Sequence, residues 1–196
     1  MDKVSAVILA GGKSQRMGCD KGQMCFKGKP MLDYSLDVVK MITDDVMISS
    51  SNSLHQRAEC RIVEDLYPGC GPASGIHASL RSAKHPWVWV VSADMPFLSI
   101  NIYDQMFIRR KSHGAVVPRW IDGKIEPLCA LYHRSALSAF EENLKLGRYK
   151  MQEIIRLIHP RWLYIEEHPW MIASRCFVNI NTPDDLHDAL VEPDQI

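Results

Sequence analysis

The segment Val4-Ser5-Ala6-Val7-Ile8-Leu9-Ala10-Gly11-Gly12 decides the fold, because a nearly continuous apolar run ends abruptly at two glycines. Such runs are typical of buried strands in a parallel sheet that helices cover on both faces. Three further segments have the same character: residues 45–49, 61–64 and 87–91. We therefore expect four buried strands in the first half of the chain.

Helical patterns separate these strands. The apolar residues of 31–39 recur at the spacing of one helix face, behind Pro30 at the first turn. Residues 72–84 and 99–111 show the same spacing, and Ser99 has the side chain of a helix N-cap. Alternating strands and helices form βαβ units, so the sequence predicts an α/β fold with three α/β/α layers and a mostly parallel, Rossmann-like sheet.

The second half of the chain is less regular. Asp122-Gly123 is a strong turn signal between two strand-like segments, which predicts an antiparallel element. A last helix is expected after Thr182, with Thr182 as its cap and Pro183 at its first position. The remaining predictions are strands at 115–118, 128–132, 162–165 and 177–180, and helices near 135–146 and 149–158. No repeat or linker interrupts residues 1–196, so we expect a single domain.

Composition excludes several functional classes. Lys and Arg total 23, Asp and Glu total 23, and this balance argues against a dedicated nucleic-acid binder. No apolar run approaches the ~18 residues that a membrane span needs, and the first residues lack signal-peptide architecture, which favours a cytoplasmic protein. The six cysteines form no C-x-x-C pair and the eight histidines are scattered, which argues against zinc or thiol chemistry.

The loop after the first strand contains the densest set of candidate binding residues. Gly11 and Gly12 let the backbone approach a ligand closely and direct N–H groups at it. Lys13, Arg16 and Lys21 add three positive charges. Backbone amides combined with cations suit a triphosphate. The loop matches neither the Walker A motif nor G-x-G-x-x-G.

Two carboxylates follow predicted strands. Asp94 comes after the most apolar strand, and Asp65 follows the strand at 61–64. Ligands of open α/β sheets bind beyond the carboxyl ends of the strands. We therefore expect Asp94 to face the glycine-rich loop, where its carboxylate is well placed to hold Mg²⁺.

Five motifs together resemble the molybdenum cofactor guanylyltransferase family. They are L-A-G-G-K-S-Q-R-M-G-C-D-K, G-P-A-S-G-I, S-A-D-M-P-F-L, E-P-L-C-A-L-Y and N-I-N-T-P-D-D-L, in this order and over residues 4–190. The first motif is shared by a broad superfamily of nucleotidyltransferases, whereas the last two are more specific. Asp20 precedes Lys21, where related cytidylyltransferases usually have Pro. The resemblance implies the nucleotidyltransferase type of the fold.

The resemblance also implies roles for the matching residues. Lys21, Arg16 and Asp94 would be catalytic, and Asp94 would be the metal ligand. Asn52 and Asp65 would face the guanine, whose N1–H and 2-amino group a carboxylate accepts. The GTP-binding set as a whole is Leu9, Ala10, Gly11, Gly12, Lys13, Arg16, Gly18, Lys21, Asn52, Asp65 and Asp94. The pterin-binding set is Arg148, Asn179 and Asn181, with Trp120 a further candidate for the rim of that site.

The implied activity is transfer of GMP from GTP to the terminal phosphate of molybdenum-molybdopterin, with release of pyrophosphate. GTP and the molybdopterin cofactor would be the partners and Mg²⁺ the cofactor. Residues 1–100 would form the GTP-binding half and 101–192 the pterin-binding half. Contacts with other cofactor-biosynthesis or acceptor proteins stay open.

Two other functions stay open. One is a cytidylyl- or uridylyltransferase that acts on a pterin, sugar or polyol phosphate. The other is a non-catalytic guanine-nucleotide-binding module that regulates cofactor delivery. Base selectivity distinguishes the first from guanylyl transfer, and the presence of both the cations and the carboxylate at Asp94 argues against the second.

Overall fold

The computed structural model describes residues 3–11, 24–111 and 113–191. Within these ranges the elements are β1 (Val4–Leu9), β2 (Cys25–Phe26), β3 (Lys29–Pro30), α1 (Met31–Lys40), β4 (Val46–Ser49), β5 (Arg61–Val63), α2 (Pro72–Ser82), β6 (Trp87–Ser92), α3 (Ile100–Arg109), β7 (Ala115–Arg119), β8 (Cys129–His133), α4 (Leu137–Lys145), α5 (Met151–Leu157), β9 (Arg161–Tyr164), α6 (Pro169–Ala173) and α7 (Pro183–Val191). Among them, no helix has the length and apolar character needed to cross a membrane.

Seven strands form one sheet in the order β5-β4-β1-β6-β8-β7-β9. β5, β4, β1 and β6 are parallel to one another, and β7 is parallel to β9. β8 runs antiparallel to both of its neighbours. The predicted α/β class, the mostly parallel sheet and the antiparallel element of the second half are confirmed.

Both faces of the sheet are buried, which explains the unbroken apolar strands. In β1, Ala6 and Ile8 belong to a core shared with residues of α1 and α3. Val7 and Leu9 belong to the opposite core, which contains residues of α2, α4 and α5. Because successive side chains of a strand point to opposite faces, a strand between two helical layers needs apolar residues at every position.

The topology collects the ends of many strands at one edge of the sheet. β1, β4, β5, β6, β7 and β9 all end there, and β8 begins there because it is reversed. We call this the carboxyl edge. β8 ends and β9 begins at the opposite edge, so the turn between α4 and α5 lies toward the carboxyl edge.

The strand expected at 177–180 is wrong. This segment begins as a turn, in which the Val178 N–H donates to the carbonyl of Arg175. It then passes the end of β6, where the Ile180 N–H donates to the carbonyl of Asp94 at 3.0 Å. Phe177 is buried in the core on one face of the sheet, whereas Ile180 packs with Phe26 of the separate β2–β3 hairpin.

Candidate active site

Backbone hydrogen bonds join the loops at the carboxyl edge. The Ala10 N–H donates to the carbonyl of Ser49 at 3.0 Å, and the Ala93 N–H donates to the carbonyl of Leu9 at 3.1 Å. The start of the glycine-rich loop, Leu9 to Gly11, is therefore fixed between the ends of β4 and β6. The other predicted residues of this loop, Gly12, Lys13, Arg16, Gly18 and Lys21, lie outside the described residues.

Asp94 lies directly after β6 and next to the start of this loop. The Ser92 hydroxyl donates to Oδ1 of Asp94 at 2.6 Å, which orients the partly buried carboxylate. Its backbone carbonyl accepts the N–H of Ile180. The structure thus brings Asp94 together with the first loop on one side and with the segment of Asn179 and Asn181 on the other.

Asp65 follows β5 at the same edge. The Ser49 hydroxyl donates to its Oδ1 at 3.4 Å. Asp65 is exposed as a residue, but neighbouring atoms desolvate its carboxyl and raise its pKa, while the hydrogen bond from Ser49 acts in the opposite direction. A carboxyl that has lost part of its hydration gains more from donors on a ligand, because it has less competing water to displace.

Gly75 of α2 explains why Ser49 can reach Asp65. A Cβ at Gly75 would lie 2.7 Å from Oγ of Ser49 and 3.0 Å from Cδ2 of Leu9. The glycine therefore lets α2 pack closely on the ends of β1 and β4. Sequence reasoning missed both Gly75 and Ser49, although Gly75 stands in the G-P-A-S-G-I motif.

Asn52 has a structural role in the loop after β4. Its Oδ1 accepts the N–H of Leu54 at 3.0 Å, and its own N–H donates to the Ser50 hydroxyl at 3.0 Å. That hydroxyl also lies 2.7 Å from Nδ1 of the buried His55. These bonds fix the loop, and the expected contact of Asn52 with guanine stays a prediction.

The two predicted asparagines flank Ile180. Oδ1 of Asn179 is buried and has no hydrogen-bond partner among the residues that the structure describes. The Asn181 N–H donates at 2.7 Å to the carboxylate of Asp185, which also accepts the N–H of Thr182 at 2.8 Å. The Asp185 N–H in turn donates to Oγ1 of Thr182 at 3.1 Å, so the predicted cap of α7 is confirmed.

Arg148 lies in the exposed turn after α4, and its N–H donates to the carbonyl of Asn143 at 2.8 Å. Gly147, with φ +69°, ends the helix. The topology places this turn toward the carboxyl edge. The expected contact of Arg148 with the pterin phosphate stays a prediction.

A hairpin between β7 and β8 completes the edge. The indole N–H of Trp120 donates to Oε1 of Glu126 at 2.8 Å, and the Glu126 side chain is buried. Sequence reasoning gave Glu126 no role of its own. The feature that could have identified Glu126 is its position in the E-P-L-C-A-L-Y motif, where a charged residue directly precedes a strongly apolar segment.

Known proteins share both the sequence and the fold of this chain. A probable molybdenum cofactor guanylyltransferase of Halalkalibacterium halodurans is 34% identical, with 96% of this chain and 98% of that protein covered. The structure of molybdopterin-guanine dinucleotide biosynthesis protein A from Archaeoglobus fulgidus matches with a TM-score of 0.81 at 25% identity, covering 94% of this chain and 96% of that one.

A more distant structure shows the fold alone. The 2-C-methyl-D-erythritol 4-phosphate cytidylyltransferase of Thermus thermophilus matches with a TM-score of 0.71 at 17% identity, covering 95% of this chain and 97% of that one. The model of the MobA-like NTP transferase domain matches residues 6–163. With this match and the near full-length relative at 34% identity, the chain belongs to the family of MobA-like NTP transferase domains.

Proposed function

We propose that this protein transfers GMP from GTP to the terminal phosphate of molybdopterin. The observation that carries the proposal is the hydrogen bond from the Ile180 N–H to the carbonyl of Asp94. It joins the segment expected to bind the pterin to the carboxylate expected beside the nucleotide phosphates. The names of the H. halodurans and A. fulgidus relatives support guanine as the base and molybdopterin as the acceptor.

The reaction exchanges one phosphoanhydride bond for another. An oxygen of the molybdopterin phosphate attacks the α-phosphorus of GTP, the bond from this phosphorus to the bridging oxygen breaks, and pyrophosphate leaves with the electron pair. A phosphate monoester is already an anion, so the step needs no strong general base. The protein contributes positioning and neutralisation of charge. In our proposal Lys21 and Arg16 neutralise the phosphates, while backbone amides of the glycine-rich loop from Gly11 onward cradle them, since the Ala10 N–H already donates to Ser49.

Asp94 fits the role of a magnesium ligand. Mg²⁺ prefers oxygen ligands and is often held by one or two carboxylates together with substrate phosphates. The Ser92 hydroxyl orients the Asp94 carboxylate at the end of β6, beside the start of the glycine-rich loop. When bound, Mg²⁺ would neutralise charge on the phosphate oxygens.

Asp65 fits the role of the base reader. Its carboxylate accepts hydrogen bonds from the N1–H and 2-amino group of guanine, and cytosine lacks this pair of donors. The Ser49 hydroxyl holds the carboxylate at the end of β5, on the nucleotide side of Asp94. This residue therefore supports GTP over CTP as the donor.

The test is calorimetric titration of the protein with GTP, CTP, UTP and ATP, each with and without Mg²⁺, followed by pyrophosphate release from GTP and molybdopterin. We expect a strong preference for GTP and release that requires both molybdopterin and Mg²⁺. A preference for CTP or UTP would move the function to the cytidylyl- or uridylyltransferase alternative. GTP binding with no pyrophosphate release would favour a regulatory module.

A further inference from the structure

Backbone and side-chain hydrogen bonds hold the turn between β7 and β8. The Trp120 N–H donates to the carbonyl of Lys124 at 2.8 Å, and the Gly123 N–H donates back to the carbonyl of Trp120 at 2.9 Å. From outside the hairpin, Oε1 of Glu166 accepts the N–H of Ile121 at 3.0 Å. The position of Trp120 at the carboxyl edge is therefore well determined.

Glu126 also fixes the orientation of the Trp120 ring. Its Oε1 accepts the indole N–H at 2.8 Å and lies 2.9 Å from Nζ of Lys124. A buried carboxylate is costly unless it is paired. Here its two side-chain partners are the tryptophan and the lysine of the same hairpin, so the carboxylate holds one particular ring orientation.

Trp120 adjoins the segment that carries the two asparagines. Its ring packs edge-on against Phe177, with centroids 6.1 Å apart. Phe177 stands two residues before Asn179, whose buried Oδ1 has no partner within the described ranges, and three before Ile180, which is bonded to Asp94. The indole therefore contacts the segment that is bonded to Asp94.

The contrast with Trp89 shows that Trp120 is more than a core residue. Trp89 is fully buried in β6, and no group in the described part of the chain accepts a hydrogen bond from its indole N–H. Trp120 is partly exposed and its N–H is anchored. Packing alone fixes the Trp89 ring. The Trp120 ring keeps an accessible part, and the buried Glu126 carboxylate sets its orientation.

We propose that Trp120 is the aromatic surface on which the flat heterocycle of the acceptor stacks, and that Glu126 is a positioning residue that holds this surface in place. The inference rests on the proposed function, since it takes the acceptor to be a planar heteroaromatic ring that bears a phosphate. Aromatic side chains bind such rings by stacking whatever their hydrogen-bond pattern. Asn179 and Asn181 would then read the polar edge of the ring.

The first test compares Trp120→Leu with Trp120→Phe in steady-state pyrophosphate release from GTP and molybdopterin. Leucine keeps the apolar contact with Phe177 but has no aromatic face. We expect it to raise the KM for molybdopterin about tenfold or more, with the KM for GTP changed less than twofold. Phenylalanine should keep the KM for molybdopterin within about threefold of the wild type.

Trp170→Leu is the matched control, because Trp170 is also partly buried against the same core but lies in α6. It should leave both KM values unchanged. Equal KM values for molybdopterin in Trp120→Leu, Trp170→Leu and the wild type would overturn the inference while the proposed function stands. A wild-type protein that releases no pyrophosphate would overturn both.

The second test addresses Glu126. Glu126→Gln keeps an oxygen that accepts the indole N–H, so we expect a rise in the molybdopterin KM of less than about threefold, whereas Glu126→Leu should raise it about fivefold or more. In a Trp120→Phe background the leucine substitution should add nothing, because no indole N–H remains. An equal effect in both backgrounds would show that Glu126 does not act through Trp120. If Trp120→Leu fails to fold, this comparison still tests whether the orientation of the Trp120 ring governs the KM for molybdopterin.

Discussion

The two sides of the sheet build their parts of the carboxyl edge in different ways. On the β5-β4-β1-β6 side, the described candidate side chains Asn52, Asp65 and Asp94 each follow the end of a parallel strand. On the β8-β7-β9 side, the reversed β8 joins β7 through a hairpin, and Trp120 and Glu126 face each other across it. Strand ends present backbone amides and carboxylates, which suit phosphates and a metal. A hairpin presents a wall of side chains, which suits a flat ring.

The largest effect on turnover should come from a substitution of Asp94, which follows β6, the strand at which the two sides of the sheet meet. Asp94→Asn removes the charge but keeps an oxygen for the Ser92 hydroxyl, so the fold should be retained. We expect kcat to fall about 10³-fold, or about 4 kcal/mol, with the thermal midpoint nearly unchanged. The assay is Mg²⁺-dependent pyrophosphate release.

Ser92→Ala is the control for Asp94→Asn, since it removes the hydrogen bond and leaves the carboxylate. It should lower kcat less than about tenfold. If Asp94→Asn kept near-normal Mg²⁺-dependent turnover, the metal assignment would be wrong.

A smaller effect, on the free energy of unfolding, should differ between the two sides of the sheet because the two sides pack differently around a glycine. A Cβ at Gly114, before β7, would lie 2.5 Å from the backbone carbonyl oxygen of Ile158, whereas one at Gly75 would lie 2.7 Å from the hydroxyl of Ser49. A backbone cannot rotate away, so Gly114→Ala should cost about 3 kcal/mol of unfolding free energy. Gly75→Ala should cost about 1 kcal/mol, because alanine regains about 1 kcal/mol of helix propensity.

Urea unfolding measures both glycine variants. Ser49→Ala should restore most of the stability of Gly75→Ala, because it removes the colliding oxygen, and it should do nothing for Gly114→Ala. Equal losses at the two glycines would contradict this difference between the two sides.

The smallest effect concerns base recognition on the nucleotide side. Asp65→Asn should weaken GTP binding about tenfold, or about 1.4 kcal/mol, and leave CTP binding unchanged. Desolvation raises the pKa of the Asp65 carboxyl, so GTP affinity of the wild type should fall on acidification at a higher pH than an aspartate with an ordinary pKa would give. Titrations at about pH 5 and about pH 7.5 test this, and Asp65→Asn should lack the dependence.

The same raised pKa fixes the sign of the effect of Asp65 on stability. The folded protein holds this proton more tightly than the unfolded chain does. Asp65 therefore stabilises the fold below its unfolded pKa, and this contribution is lost as the pH rises through its folded pKa.

GTP affinity that did not change with pH in the wild type would argue against Asp65 as the base reader.

The sequence predicts the parallel side better than the mixed side, for a physical reason. Val4–Leu9 is apolar at every position but Ser5 because two helical layers cover it, and this pattern is local. Asp94 and Asp65 could be placed because parallel strands end at a common edge. Residues 177–180 are just as apolar, but they cover the end of the sheet and the β2–β3 hairpin, which no local pattern indicates. The role of Glu126 depends on the fold of a hairpin and could not be read from its own neighbourhood.

The bond from the Ile180 N–H to the Asp94 carbonyl also has a consequence for the order of folding. It joins two positions far apart in the chain, and contacts of large sequence separation form slowly because a long loop must close first. The strands β1, β4, β5 and β6 precede residue 93 and pair with one another. During synthesis the strands β1, β4, β5 and β6 therefore emerge first. The Ile180 N–H can bond to Asp94 only once the segment from Phe177 onward has left the ribosome.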